Sequence, residues 1–261
     1  MKLIENKNIF KNSTFFALLP KEQKIVPVKF NSSVKYEELM NLENQKKILL
    51  NNINSFAKND ICEHTLLWGA KGCGKSTLIK LAVKKVSMER KKIKLIEVFS
   101  LNLDFLADLC FILSNYDYKF ILFIDDINFN KLDDNFKYFK SLIEGSILSS
   151  SQNIKFFVTS NLRNLSINSD DQKNLNDLEI REIRENNLSL VDRFGCKISF
   201  YDFDQEKYLN VVNFYLHKFS IKATEKTEKL AIQWSIQKGN FSGRTALQFA
   251  KNYLLNEPYD K

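Results

Sequence analysis

The residues of this chain best suited to chemistry stand in one run, Gly69-Ala70-Lys71-Gly72-Cys73-Gly74-Lys75-Ser76, a complete G-x-x-x-x-G-K-[ST] pattern. A triphosphate needs donors on many oxygens at once, and consecutive backbone N–H groups at a helix N-terminus supply them. Glycines within the run permit the positive φ that such wrapping requires. Lys75 then faces the β- and γ-phosphates of ATP and the Ser76 hydroxyl faces Mg2+. Gly69, Ala70, Lys71, Gly72, Cys73, Gly74, Lys75, Ser76 and Thr77 together are the expected nucleotide contacts. The alternative is an ordinary glycine turn before a helix. At average residue usage the pattern arises by chance in roughly one chain in a hundred of this length. Here three of only seven glycines lie in the run, which favours the phosphate site.

A second group is acidic. Lys119-Phe120-Ile121-Leu122-Phe123-Ile124 runs into Asp125-Asp126, an apolar stretch ending in two carboxylates. Ligands of open α/β sheets bind at the carboxyl ends of strands, so Asp125 is expected in the Mg2+ shell as a Walker B acid. Asp126 is expected to polarise the attacking water. By itself such a run is also compatible with a strand ending in a solvated turn. Ile154-Lys155-Phe156-Phe157-Val158-Thr159-Ser160 similarly ends at Asn161, placed either to orient water and touch the γ-phosphate or to turn the chain. Only six arginines occur beside 33 lysines, and two of them, Arg193 and Arg244, lie within two residues of a glycine. Guanidinium is planar, permanently charged and bidentate toward phosphate, so arginine in a lysine-biased chain hints at phosphate contact.

These groups need a scaffold. His64–Trp68 has no helical period and suits a buried strand of a parallel sheet, and apolar residues continue past Ser76 at helical spacing. Residues 92–99 read as a further strand, 103–114 and 132–148 as helices, and Lys197–Tyr201 as a fifth strand. From Val34 to about Lys58, Leu39, Leu42, Ile48, Leu49, Ile53 and Phe56 recur at helical spacing, predicting one broken or two short helices. Residues 204–256 hold three amphipathic helices with turns near Ser220 and at Gly239–Gly243, the last capped by Ser242. The expected organisation is an arm at 1–33, serving as a docking segment or poorly ordered. An α/β nucleotide-binding domain follows at 34–202, with an inserted loop at 162–187, and then a helical lid at 203–261.

Composition narrows the class. A chain 44% hydrophobic with 22 Phe supports one large domain and a small one. The net charge of +8 comes with abundant Lys and Asn, a proteome bias that carries little weight as nucleic-acid evidence. Cys62, Cys73, Cys110 and Cys196 have no metal-ligand spacing, which argues against zinc and suits a reducing cytoplasm. No apolar stretch approaches the length of a membrane span, and residues 1–20 lack a signal-peptide pattern.

With these pieces placed, residues 34–256 resemble an AAA+ ATPase, and more narrowly the bacterial domain-of-unknown-function family 815. The resemblance is carried by LLWGAKGCGKS (66–76), FILFIDDI (120–127), TSN (159–161), SLVDRFG (189–195), FYDFDQEKYL (200–209) and SGRTALQFA (242–250). It implies a five-stranded parallel sheet with helices on both faces and a three-helix C-terminal lid. It also implies that Asn161 is sensor 1, Arg193 an arginine finger acting on a neighbouring subunit's ATP, and Arg244 sensor 2. A finger acting in trans implies a homo-oligomeric ring or filament. The chain departs from the usual Asp-Glu ending with Asp125-Asp126. Bacterial replication initiators share an Asp-Asp pair, so the departure does not imply inactivity.

The functional expectation is an ATPase that couples hydrolysis to remodelling or switching of a protein or nucleic-acid client. A nucleotide-dependent scaffold with little hydrolysis and a P-loop small-molecule kinase are the alternatives; turnover of ATP with water alone separates the last from the first. Lys75→Ala removes the cation facing the phosphates and is expected to weaken ATP binding at least about tenfold, roughly 1.4 kcal/mol, in an equilibrium titration.

Overall fold

The computed structural model describes residues 8–19, 22, 24–99, 105–127, 139–143, 152–161 and 188–256. Its strands are β1 (Phe15–Leu19), β2 (Lys24–Pro27), β3 (Thr65–Gly69), β4 (Ile93–Val98), β5 (Lys119–Ile124), β6 (Ile154–Ser160) and β7 (Cys196–Phe200). Its long helices are α1 (Glu43–Lys58), α2 (Lys75–Glu89), α3 (Leu106–Ser114), α4 (Gln205–Lys218), α5 (Glu225–Lys238) and α6 (Gly243–Asn256). The helix expected over 132–148 is described only at 139–143, and the inserted loop at 162–187 lies outside the described residues. Among the described residues no helix is long and apolar enough to cross a membrane.

The sheet runs β2-β1-β4-β5-β6-β3-β7, parallel throughout except for the β1–β2 pair. Both faces of the inner strands are buried, which explains their near-continuous apolar runs. Successive side chains alternate between two cores, as the pleat requires. On β5, Ile121 and Phe123 join the core of α1, α2 and the C-terminal helices, while Phe120, Leu122 and Ile124 join that of α3. The α/β architecture with helices on both faces is the expected one.

The strand count is not. Seven strands are present where five were expected, because the N-terminal arm supplies β1 and β2. Its sequence carries the reason: Phe10 is fully buried and meets Phe16 and Phe120 edge to face at 5.0 Å each, in a geometry favourable for aromatic pairs. The stretch from Val34 differs as well. Helix begins only at Glu43, because Asn41 has φ 60° and Leu42 has φ −130° and ψ 25°, neither compatible with a helical turn. The apolar residues before it line a cavity described below.

The three C-terminal helices are capped by their own polar residues. Asp204 accepts from Lys207 N at 2.8 Å, Thr224 from Thr227 N at 3.2 Å, and Ser242 from Thr245 N at 3.2 Å. Their apolar faces belong to the same core as α1 and α2, with Tyr208 fully buried and its hydroxyl donating to Ala231 O at 3.1 Å.

His64, just before β3, holds two strands together. Its Nδ1 accepts from Phe156 N of β6 at 3.0 Å, which requires the neutral ring. Burial, with nearby Lys155, lowers its pKa from 6.5 to about 4. The unfolded chain therefore binds the extra proton first. Stability from this group is complete above about pH 6.5 and declines as pH falls toward 4, by up to about 3 kcal/mol. His64→Asn, whose amide oxygen accepts the same N–H, is expected to flatten that part of the profile in denaturant unfolding measured from pH 7 to pH 4.

Candidate nucleotide site

The glycine run leaves the sheet at the C-terminal end of β3. Ala70 N donates to Phe200 O of β7 at 2.8 Å, and Gly69 passes so close that a Cβ there would lie 2.1 Å from that same oxygen. Gly69 has φ 114°, a backbone open in practice to glycine alone. Gly72, at φ 80°, packs beneath the start of α6, and a Cβ on it would lie 2.8 Å from Ser242 Oγ. The chain then enters α2 at Lys75, so the N–H groups of the first helical turn face the opening of the run.

Lys75 is 6% exposed. Its ammonium donates to Gly69 O and Ala70 O at 2.8 Å and to Asn161 Oδ1 at 2.9 Å, so each hydrogen has an acceptor. Burial lowers its pKa and Arg244 adds to the effect, while Cys73, Asp126 and Asp125 oppose it. Asn161 in turn donates through Nδ2 to Asp126 Oδ1. One amide thus links the lysine of the loop to the second carboxylate of β5.

The first carboxylate is held from two sides. Asp125 Oδ1 accepts from Ser76 Oγ at 2.6 Å and from Thr159 Oγ1 at 2.5 Å. Among the described residues no donor reaches its Oδ2. Asp126 sits at φ 58°, uncommon for any residue with a side chain though least so for Asp and Asn. Its N–H donates to Thr159 Oγ1 at 2.8 Å.

These groups open into a cavity of about 530 Å³. Lys71 through Thr77, Asp125, Asp126, Asn161 and Arg244 all line it, whereas Gly69 and Ala70 lie behind Lys75 with their carbonyls turned to its ammonium. Arg244 follows the first residue of α6, and its backbone N–H donates to Gly72 O at 3.2 Å. Arg193 is not brought to this cavity. It is exposed between the buried Val191 and Phe194 before β7, and the neighbouring Asp192 pairs with Lys197 at 2.9 Å.

Two parts of the lining carry no motif. One is a strap over residues 32–42, where Val34, Leu39 and Leu42 turn to the cavity instead of a helix face. The other is the apolar side of α4 together with Phe203 ahead of its N-cap, including Phe214 and Tyr215. The helical spacing of both was visible in the sequence, but what they face depends on how the C-terminal helices return to the sheet. Thr159 was legible only as part of a strand.

The profile of the family described as "Protein of unknown function (DUF815)" matches residues 11–257, nearly the whole chain. The chain belongs to the DUF815 family. No curated protein matches it. The fold of this DUF815 protein is that of AAA+ ATPases. The Thermotoga maritima RuvB Holliday junction branch migration motor superposes with a TM-score of 0.54 at 16% identity, over 83% of this chain and 63% of RuvB. The FIGL-1 AAA domain in complex with ADP gives 0.52 at 14% identity, over 87% and 75%. The replication initiator DnaA bound to AMPPCP and single-stranded DNA gives 0.53 at 12%, over 87% and 66%. The chain thus spans 63% of the RuvB length it matches.

The contact between the loop and α6 is testable. Gly72→Ala places a methyl against Ser242 and Arg244 and is expected to weaken ATP binding about tenfold or more. Gly239→Ala is the control: Gly239 has φ 75° with nothing within 4 Å. It should cost about 1 kcal/mol of stability in a denaturant titration and leave ATP affinity unchanged.

Proposed function

We propose that this protein binds ATP with Mg2+ in the 530 Å³ cavity and hydrolyses it, using the cycle to remodel or switch a protein or nucleic-acid client. The observation that supports this best is the single network Lys75–Asn161–Asp126 beside Ser76–Asp125–Thr159, with Arg244 on the same cavity. A loop lysine, a hydroxyl–carboxylate pair, a second carboxylate and an arginine are the parts that phosphoryl transfer to water requires. Bound ADP and AMPPCP in two of the similar structures agree with a nucleotide in this place.

On this reading the triphosphate wraps on the N–H groups of residues 71–76. Lys75 turns its charge from the loop carbonyls to the β- and γ-phosphates. Ser76 and Asp125 fit a Mg2+ ion: both are hard oxygen donors, already in contact at 2.6 Å, and this ion takes one or two protein oxygens beside phosphate oxygens. When bound, the ion neutralises developing charge on the phosphates. Asp126 orients the attacking water and accepts its proton, and Asn161, released by Lys75, holds that water or a γ-phosphate oxygen. Arg244 reports the γ-phosphate to the C-terminal helices as sensor 2. The Phe214–Tyr215 side of the cavity and the 32–42 strap receive the base.

Arg193 stands apart from its own cavity, and its exposed place before β7 suits a finger that completes the site of a neighbouring subunit in a homo-oligomeric ring. A scaffold with slow hydrolysis is the second reading, favoured by the short Asp126 side chain and its bond to Asn161.

Arginine fingers contribute on the order of 10³–10⁵ in rate. Arg193→Ala is therefore expected to bind ATP almost normally and turn it over hardly at all, and Asp126→Asn likewise. Mixing the two variants should restore activity through composite sites, and wild-type activity per subunit should rise with concentration. An inactive mixture together with concentration-independent wild-type turnover would remove the ring; wild-type protein that binds ATP without cleaving it would leave the scaffold.

A further inference from the structure

The geometry points to Thr159 as the residue that positions both carboxylates of the site, through one hydroxyl shared between Asp125 and the backbone of Asp126. The inference rests on the reading of Asp125 as a Mg2+ ligand and Asp126 as the base. Thr159 lies on β6, beside the last paired residues Ile124 and Val158, and is 1% exposed. A threonine hydroxyl has one hydrogen and two lone pairs. Here the hydrogen goes to Asp125 Oδ1 at 2.5 Å, a short bond to a charged acceptor, while the oxygen accepts from Asp126 N at 2.8 Å. The carbonyl of the same residue accepts from Ile127 N at 2.9 Å. Three successive residues at the end of β5 are therefore bound to one residue of β6.

Each bond has a consequence for the chemistry. Because Ser76 and Thr159 both donate to Oδ1, the carboxylate of Asp125 is turned one way, and its Oδ2 is kept from protein donors among the described residues. At Asp126 the backbone at φ 58° no longer follows the strand, so its N–H misses the regular ladder; the Thr159 hydroxyl gives that donor a partner. Losing the hydroxyl removes at once one of the two bonds that orient Asp125 and the bond that fixes the backbone of Asp126. Valine has the same shape without that group, and serine keeps the group on a smaller side chain.

The test is a Mg2+ titration of the full chain with a fluorescent, non-hydrolysable ATP analogue, alongside ATP turnover and thermal melting. Outer partners of metal ligands typically contribute about 10–100-fold in affinity or activity. In Thr159→Val the half-saturating Mg2+ is expected to rise about tenfold or more, with turnover falling by a similar factor. Nucleotide affinity in excess EDTA should stay within about twofold of wild type. Thr159→Ser should restore the Mg2+ midpoint. If the valine variant fails to fold, the Ser and Ala variants, which differ by the hydroxyl alone, make the same comparison. A lower melting temperature with an unmoved Mg2+ midpoint overturns the inference while leaving the ATPase reading intact, as does a shift that serine does not reverse. Wild-type protein that binds no nucleotide with Mg2+ overturns the ATPase reading and this inference together.

Discussion

Lys75 carries its charge at 6% exposure, and a charge taken out of water demands acceptors on every side. Two come from the loop that the lysine closes, Gly69 O and Ala70 O; the third, Asn161 Oδ1, comes from a strand 86 residues further along the chain. Satisfying one ammonium therefore sets the path of the loop, the end of β6 and the start of α2 together.

Sheet order carries the lysine's network to the carboxylates. The strand before the loop, β3, and the strand that ends in Asp125-Asp126, β5, are not neighbours; β6 lies between them. Among the described residues, the hydrogen bonds that link the loop to the acidic pair, other than the Ser76–Asp125 bond, pass through Asn161 at the tip of β6, where Thr159 also binds the pair. A parallel sheet puts all three strand ends on one edge, and that edge is where helix N-termini and side-chain oxygens converge. Polar residues are tolerated there because each is partnered: Thr159, Ser160 and Lys75 are buried, and all three are hydrogen-bonded.

The far wall of the cavity joins parts of the chain that sequence keeps distant. Lys218 at the end of α4 donates to Ser33 O and to Glu38 at 2.8 Å each, and Asn41 donates to Lys207 O at 3.4 Å. The strap leading from β2 to α1 is thereby tied to the C-terminal helices across the cavity, while Glu37 of the same strap pairs with Lys85 on α2.

What the linear chain determined by itself was the chemistry written in contiguous residues. The glycine run, its lysine and serine, the acidic pair after an apolar strand and the asparagine after another are each local patterns. The backbone rules that make them strand, turn and helix act over a few residues. The α/β class followed, since continuous apolar strands between helical segments require a sheet covered on both faces. Tertiary structure alone decided the rest. Five apolar residues at 15–19 belonged to an arm expected to be a docking segment or poorly ordered, and only a place beside β4 with Phe10 beneath it made them β1. Leu39 and Leu42 had helical spacing, yet packing against α4 and the positive φ of Asn41 drew them into a cavity wall. Thr159 looked like one more residue of a buried strand, because a hydroxyl's partners depend on what lies across the sheet, 34 residues away in sequence. Periodicity states which residues are buried; only the fold states against what.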